Sequence, residues 1–129
     1  MGINKSYDIT SIKDTKKVVL YYFFNNDEKD YYVPVTKYLN SRDDKIKIII
    51  DSLKGNYFSN TNLSSYLNSK TDISFTLDSD ILTFTFSSLN DDNLESITYS
   101  LASSVFDSMD ISKVIFEVDS KIVDIKTKN

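Results

Sequence analysis

The sequence contains no cysteine, no histidine and no tryptophan. Without cysteine it has no disulfide, no thiolate nucleophile and no zinc-thiolate site. Without histidine it also lacks the most frequent general base. Glycine occurs twice and proline once. That is too little for a collagen-like or low-complexity chain, and it points to regular elements with tight connections. Arg42 is the only arginine among 15 basic residues, and the formal net charge is −4. A nucleic-acid binder shows a basic patch. Lys13, Lys16 and Lys17 come nearest to one, and Asp14 interrupts them. No run reaches the roughly 20 apolar residues of a spanning helix, and no stretch reads as a signal peptide. No Walker loop, dinucleotide glycine series or helical zinc motif occurs.

What the chain does have is one domain's worth of core. Its 129 residues are 40% hydrophobic, with nine tyrosines and eight phenylalanines. A chain of this size buries roughly two thirds of its unfolded surface. Residues 1–16 are polar and without period, and read as an arm or linker. Residues 17–126 read as a single domain, and 127–129 as a tail.

The most informative segment spans residues 17–38. Val18 to Phe24 form an unbroken apolar run, and after a polar loop Tyr31 to Thr36 return to strand-type residues. The pair predicts a hairpin. Pro34 lacks a ladder donor, which assigns its strand to an edge or a bulge. Ser41 and Asp44 then mark a helix start, followed by Ile46, Ile49, Ile50 and Leu53 at helical spacing. Ile48 falls off that pattern, at a margin. Gly55 is placed to end the helix in the left-handed conformation. Leu63, Tyr66 and Leu67 suit one face of a short helix capped by Asn62.

Two alternating runs follow, Ile73/Phe75/Leu77 and Leu82/Phe84/Phe86, with a turn at residues 78–80. Their hydroxyl-rich faces are open to solvent or to another subunit. A second helix begins near Asn90, with Asp91, Asp92 and Glu95 at its positive end. Its stripe is Leu94, Ile97, Leu101, Val105 and Met109, widened by Ala102 and Phe106. Val114, Phe116 and Val118 form a further strand. Asp119 and Ser120 turn, and Ile122, Val123 and Ile125 form a short return. The expected fold is an α+β two-layer sandwich. It has a mainly antiparallel or mixed sheet with two main helices on one face, in the order β-β-α-β-β-α-β.

Several positions carry a resemblance. The first strand reads Leu20, Tyr21, Tyr22, Phe23, and the second Tyr32, Val33, Pro34, Val35. The first helix ends Ser52, Leu53, Lys54, Gly55. The later matching segments are residues 81–87, 100–105 and 113–118. Over residues 18–123 this pattern resembles the GerMN domain family, found in GerM-type sporulation and germination proteins and in some bacterial surface lipoproteins. The sequence departs from the family at Asn56, at residues 67–70, at residues 78–80 and at Asp119–Ser120, where the family favours proline or glycine.

The resemblance implies a protein-interaction domain in the cell or spore envelope, similar to the ring-building motifs that assemble subunits around a secretion apparatus. It implies an extracytoplasmic, membrane-anchored setting, through a tether that this sequence does not contain. It implies as partners an envelope protein or other copies of the chain, and neither nucleic acid nor cofactor.

The residues themselves allow three functional readings. Tyr21, Tyr31, Tyr32 and Tyr38, with Tyr22, suit cross-strand aromatic packing, and some of them suit an interface. The same tyrosines suit a small extracellular ligand- or glycan-binding module. An enzyme would have to use the carboxylates Asp72, Asp78, Asp80, Asp91 and Asp92, whose spacing fits no EF-hand and no glycosidase pattern. These carboxylates suit a turn and a helix start better. Catalytic, cofactor and metal residues are therefore expected to be absent, with Pro34 and Gly55 structural.

Overall fold

The computed structural model describes residues 15–25, 30–40, 42–55, 63–65, 67, 70–89 and 93–128. The arm expected at residues 1–16 lies almost wholly outside these, as do Ser41, Asn62, Tyr66, Asp91 and Asp92. The elements are β1 (Thr15–Asn25), β2 (Asp30–Asn40), α1 (Lys45–Lys54), β3 (Leu63–Ser64), β4 (Ile73–Asp78), β5 (Ile81–Phe86), α2 (Leu94–Ser108), β6 (Lys113–Val118) and β7 (Lys121–Thr127). The fold is α+β, and its two helices and main strands follow the expected order. The strands divide between two sheets, β2-β1-β3 and β4-β5-β6-β7.

Burial along β1 alternates from Val18 to Tyr22, and Phe23 on the opposite face is buried as well. Val18, Leu20 and Tyr22 are buried in the core. β2 pairs with β1 along its full length, Thr15 with Asn40 through Asn25 with Asp30. Helix α1 closes the inner face with Ile46, Ile49, Ile50 and Leu53. Ile48 is also buried, so the margin predicted for it is corrected. Tyr22 donates its hydroxyl to the carbonyl of Ser52 at 3.3 Å.

Two further expectations are corrected. Gly55 ends α1 at φ −83° and ψ 165°, an extended conformation, and its N–H bonds to the Asp51 carbonyl. Gly55 is therefore not the left-handed residue expected there. Leu63 lies in β3, paired with Phe24, and not on a short helix. Its spacing of three and four to Tyr66 and Leu67 reads as helical, and the edge of β1 opposite β2 offered it a strand partner instead.

In the second sheet β5 runs parallel to β6, with Phe84 beside Phe116 and Phe86 beside Val118. Parallel neighbours need a long crossover, and α2 supplies it. Leu82, Phe84, Phe86, Val114 and Phe116 face inward and are fully buried. Burying each such side chain contributes about 1.5–3 kcal/mol. Left-handed conformations occur at Ser79 (φ 60°), Asp119 (φ 52°) and Ser120 (φ 66°). These are turn positions where the sequence offers no glycine. The turn between β6 and β7 therefore carries strain that a glycine would relieve.

Helix α2 joins the two sheets in a way its apolar stripe does not reveal. Ile97, Leu101 and Val105 enter the core. Ser100, Ser104 and Ser108 form a second stripe, buried as well, and bond the backbone of β1. Val19 N–H donates to Ser108 Oγ at 2.8 Å, and Ser108 Oγ donates to the Val19 carbonyl at 3.3 Å. Tyr21 N–H donates to Ser104 Oγ at 3.0 Å, and Ser100 Oγ donates to the Tyr21 carbonyl at 2.6 Å. Four helical residues rise about 6 Å and two strand residues about 6.7 Å, so the two repeats stay in step. The hydroxyls stand in for a neighbouring strand until β3 takes over at Phe23. Lys45 donates to the Ser108 carbonyl at 2.9 Å, placing a cation at the negative end of α2.

Candidate functional site

Docking α2 on β1 sets Tyr99 of the helix against the outer face of the first sheet. By the two-residue period, Val19, Tyr21 and Phe23 share that face with their cross-strand partners Thr36, Pro34 and Tyr32. Tyr32 and Tyr99 have ring centroids 4.0 Å apart at 37°. Tyr21 meets Tyr99 edge-on at 6.2 Å. Phe23 lies 4.9 Å from Tyr32. Four rings thus form one continuous wall, and tilted and edge contacts of this kind add about 0.5–1.5 kcal/mol each.

The wall borders an open cavity of about 370 Å³ between α2 and the end of β7, lined by Tyr21, Tyr99, Phe106, Asp107, Lys126 and Thr127 among others. The Tyr21 hydroxyl donates to Asp107 Oδ2. Lys126 bridges Glu95 at 3.1 Å and Asp124 at 3.3 Å. Partial burial acts against its charge, and the two carboxylates outweigh that, so its pKa is raised.

The hydrogen bond to Asp107, with burial adding to it, pushes the Tyr21 pKa up to about 12. The phenol keeps its proton in the folded chain when an unfolded tyrosine loses it. Its stabilising contribution is therefore whole below pH ~10 and drains away as pH rises from ~10 to ~12. In a tyrosinate titration followed by ultraviolet absorbance, Tyr21 is expected to titrate late, and Tyr21→Phe removes that late component. Asp107→Asn removes the charge behind the largest cause and should move that group down toward the ordinary range, with burial still holding it up.

Of the residues singled out from sequence, the structure brings Tyr21 and Tyr32 together. Tyr31 neighbours Tyr32 in the chain and so points to the opposite face, paired with Phe24. Tyr38 lies six residues along β2 on the outer face, 67% exposed and apart from the wall. Pro34 lies opposite Tyr21, whose backbone groups turn away from β2 to the serines. The ring's missing N–H therefore falls on the open edge, where no ladder bond is lost. Tyr99, Asp107 and the three serines were not found in the sequence reading. Tyr99, Ser103 and Phe106 sit at helical spacing beside the core stripe, and that second stripe was the available sign.

Chemically the groove offers aromatic faces, a phenol tied to a carboxylate, hydroxyls and two ammonium groups. Among the described residues no three histidine, cysteine or acidic side chains converge to hold a metal. Among them also no helix is long and apolar enough to cross a membrane.

The geometry defines a small α+β domain with an aromatic groove, and solved structures share its fold. The tandem GerMN domains of the sporulation protein GerM from Bacillus subtilis match with a TM-score of 0.65 at 22% identity, over 85% of this chain and 41% of that one. The first GerMN domain of the same protein matches with a TM-score of 0.62 at 19% identity, over 83% and 85%. A putative lipoprotein from Clostridium perfringens matches with a TM-score of 0.50 at 16% identity, over 88% and 81%. The chain thus spans less than half of the tandem structure and most of a single GerMN domain. No protein-family model and no curated protein matches it in sequence.

Proposed function

We propose that the chain is a non-enzymatic, extracytoplasmic interaction domain that joins an envelope protein to its assembly partners. The observation that carries this reading is the ring wall at Tyr21, Tyr32 and Tyr99. It lies open on a fold like that of a sporulation protein's GerMN domain and of a putative lipoprotein. Tyrosines already held in place by one another lose little freedom on binding, and their hydroxyls give a polar edge to an apolar contact. The hydroxyls of Ser100, Ser104 and Ser108 are committed to the backbone of the fold, so they add no chemistry to the groove.

The test is a photoreactive amino acid at Ser103, on the groove, in the full-length protein in its native cells. A discrete protein adduct in the envelope fraction is expected, and Tyr99→Ser should abolish it while the domain stays folded, its stability lowered by no more than the roughly 1–3 kcal/mol of its two ring contacts. An adduct found only in the cytoplasm, or one untouched by Tyr99→Ser, overturns the proposal. If instead soluble cell-wall saccharides bind the purified chain and Tyr99→Ser stops them, with no protein adduct, the groove is a ligand-binding site.

A further inference from the structure

Among the described residues, the second sheet is covered on one face only. Helix α2 lies on the side of Phe84 and Phe116, and its Glu95 reaches Lys126, which pairs with inward-facing Val114. The other face is out of phase with this one. Its middle row runs Thr83, Ile115, Ile125. On β6, Lys113 stands two residues before Ile115, and Glu117 two residues after it, beside Ile122 of β7. Ile122 is 57% and Ile125 48% exposed, so the rim of this face presents apolar surface to water.

We infer that a second copy of the chain docks on this face, sheet against sheet, about a two-fold axis that crosses the strands at Ile115. The charge pattern selects that axis. A two-fold axis across the strands lays β6 antiparallel over its mate. Ile115 then meets Ile115, and Lys113 meets Glu117 of the other copy at both ends. An axis along the strands would bring like rows together, Lys113 toward Lys113. The face is thus self-complementary in one orientation, as an isologous contact requires. Thr85 Oγ1 donates to Glu117 Oε1 at 3.4 Å, which holds the carboxylate on the face and in register.

The size of the face fixes the strength of the contact. Four strands about 4.8 Å apart, six residues long at about 3.3 Å each, give a footprint of about 400 Å² per copy, half that of a standard interface. The dimer is therefore weak, concentration-dependent and suited to an assembly in which other contacts add to it. The inference deepens the assembly reading by naming one partner, and the tyrosine groove takes no part in it.

Sedimentation velocity from micromolar to millimolar concentration tests the inference with a charge swap. Wild type should form a reversible dimer. Glu117→Lys or Lys113→Glu alone sets like charges against each other at both ends and should weaken the dimer about tenfold or more. The double variant Lys113→Glu/Glu117→Lys restores opposite charges and should return the affinity to within about threefold of wild type. Circular dichroism and urea midpoints confirm that each variant is folded. A wild type that stays monomeric at millimolar concentration overturns the inference. So does a dimer indifferent to the single reversals, or a double variant no better than either single. Tyr99→Ser should leave this dimer intact. If it abolishes the dimer while the reversals do not, the groove is the self-contact and this face is not.

Discussion

Replacing Ser104 and Ser108 together by alanine is expected to cost about 2–4 kcal/mol of folding stability, a large share of the roughly 5–15 kcal/mol that a domain has. Each hydroxyl accepts a β1 N–H, from Tyr21 and Val19 respectively, and neither serine is accessible enough for water to take its place. A buried donor left without a partner costs about 1–3 kcal/mol. Alanine is the better helix former, so the substitutions also return a few tenths of a kcal/mol each. The loss is measured as a drop in urea midpoint at constant slope. Ser103→Ala, one residue away and only half-buried, is the control and should be nearly neutral. Hydrogen exchange supplies a second reading. The Val19 and Tyr21 amides should be protected in wild type although, among the described residues, no strand pairs with them on that edge, and should exchange rapidly in the double variant. A double variant within about 0.5 kcal/mol of wild type would mean that water or backbone relaxation satisfies these groups.

The same three serines explain what was and was not legible in the sequence. Strands β4, β5 and β6 declare themselves by alternation, because each has one face in the core, and β1 by its unbroken apolar run. The core stripe of α2 declares itself by its three-four spacing. A serine stripe at the same spacing is silent under a binary hydrophobic pattern, since it reads as solvent-exposed. Only the recurrence Ser100, Ser104, Ser108 could have marked a helix face turned toward backbone. The division into two sheets follows from that stripe, because a strand edge satisfied by hydroxyls is closed to a further full-length strand.

The tyrosines show the complementary limit. Two adjacent strand residues must point to opposite faces, so Tyr31 and Tyr32 could not serve one surface together. Which of them meets Tyr99 depends on where α2 docks, and that is a tertiary fact. Gly55 was read from a common helix ending, yet it is extended. The left-handed conformations fall instead on Ser79, Asp119 and Ser120, where the chain lacks the glycine that would have advertised them.

Phe84→Ala is expected to be the most damaging single substitution in the second sheet, at about 3–5 kcal/mol. Phe84 is fully buried at the centre of β5. It pairs with Phe75 on one side and Phe116 on the other, and stacks on Phe116 with centroids 5.7 Å apart at 22°. Truncation leaves a cavity bounded by strands that cannot close it without breaking their ladders. Phe84→Leu keeps most of the volume and should cost less than about 1.5 kcal/mol. The pair Phe84→Ala/Phe116→Ala should cost less than the sum of its members, because the second truncation removes a ring that has already lost its neighbour. Where the damage is felt also tests the architecture. Helix α2 gives its serines to the first sheet and its leucine-valine stripe to the core shared with the second. Loosening β5 should therefore lower exchange protection at Val19 and Tyr21 of β1 as well as within the second sheet. If β1 keeps its full protection while β5 and β6 lose theirs, the two sheets unfold as separate units and the serine contacts do not couple them.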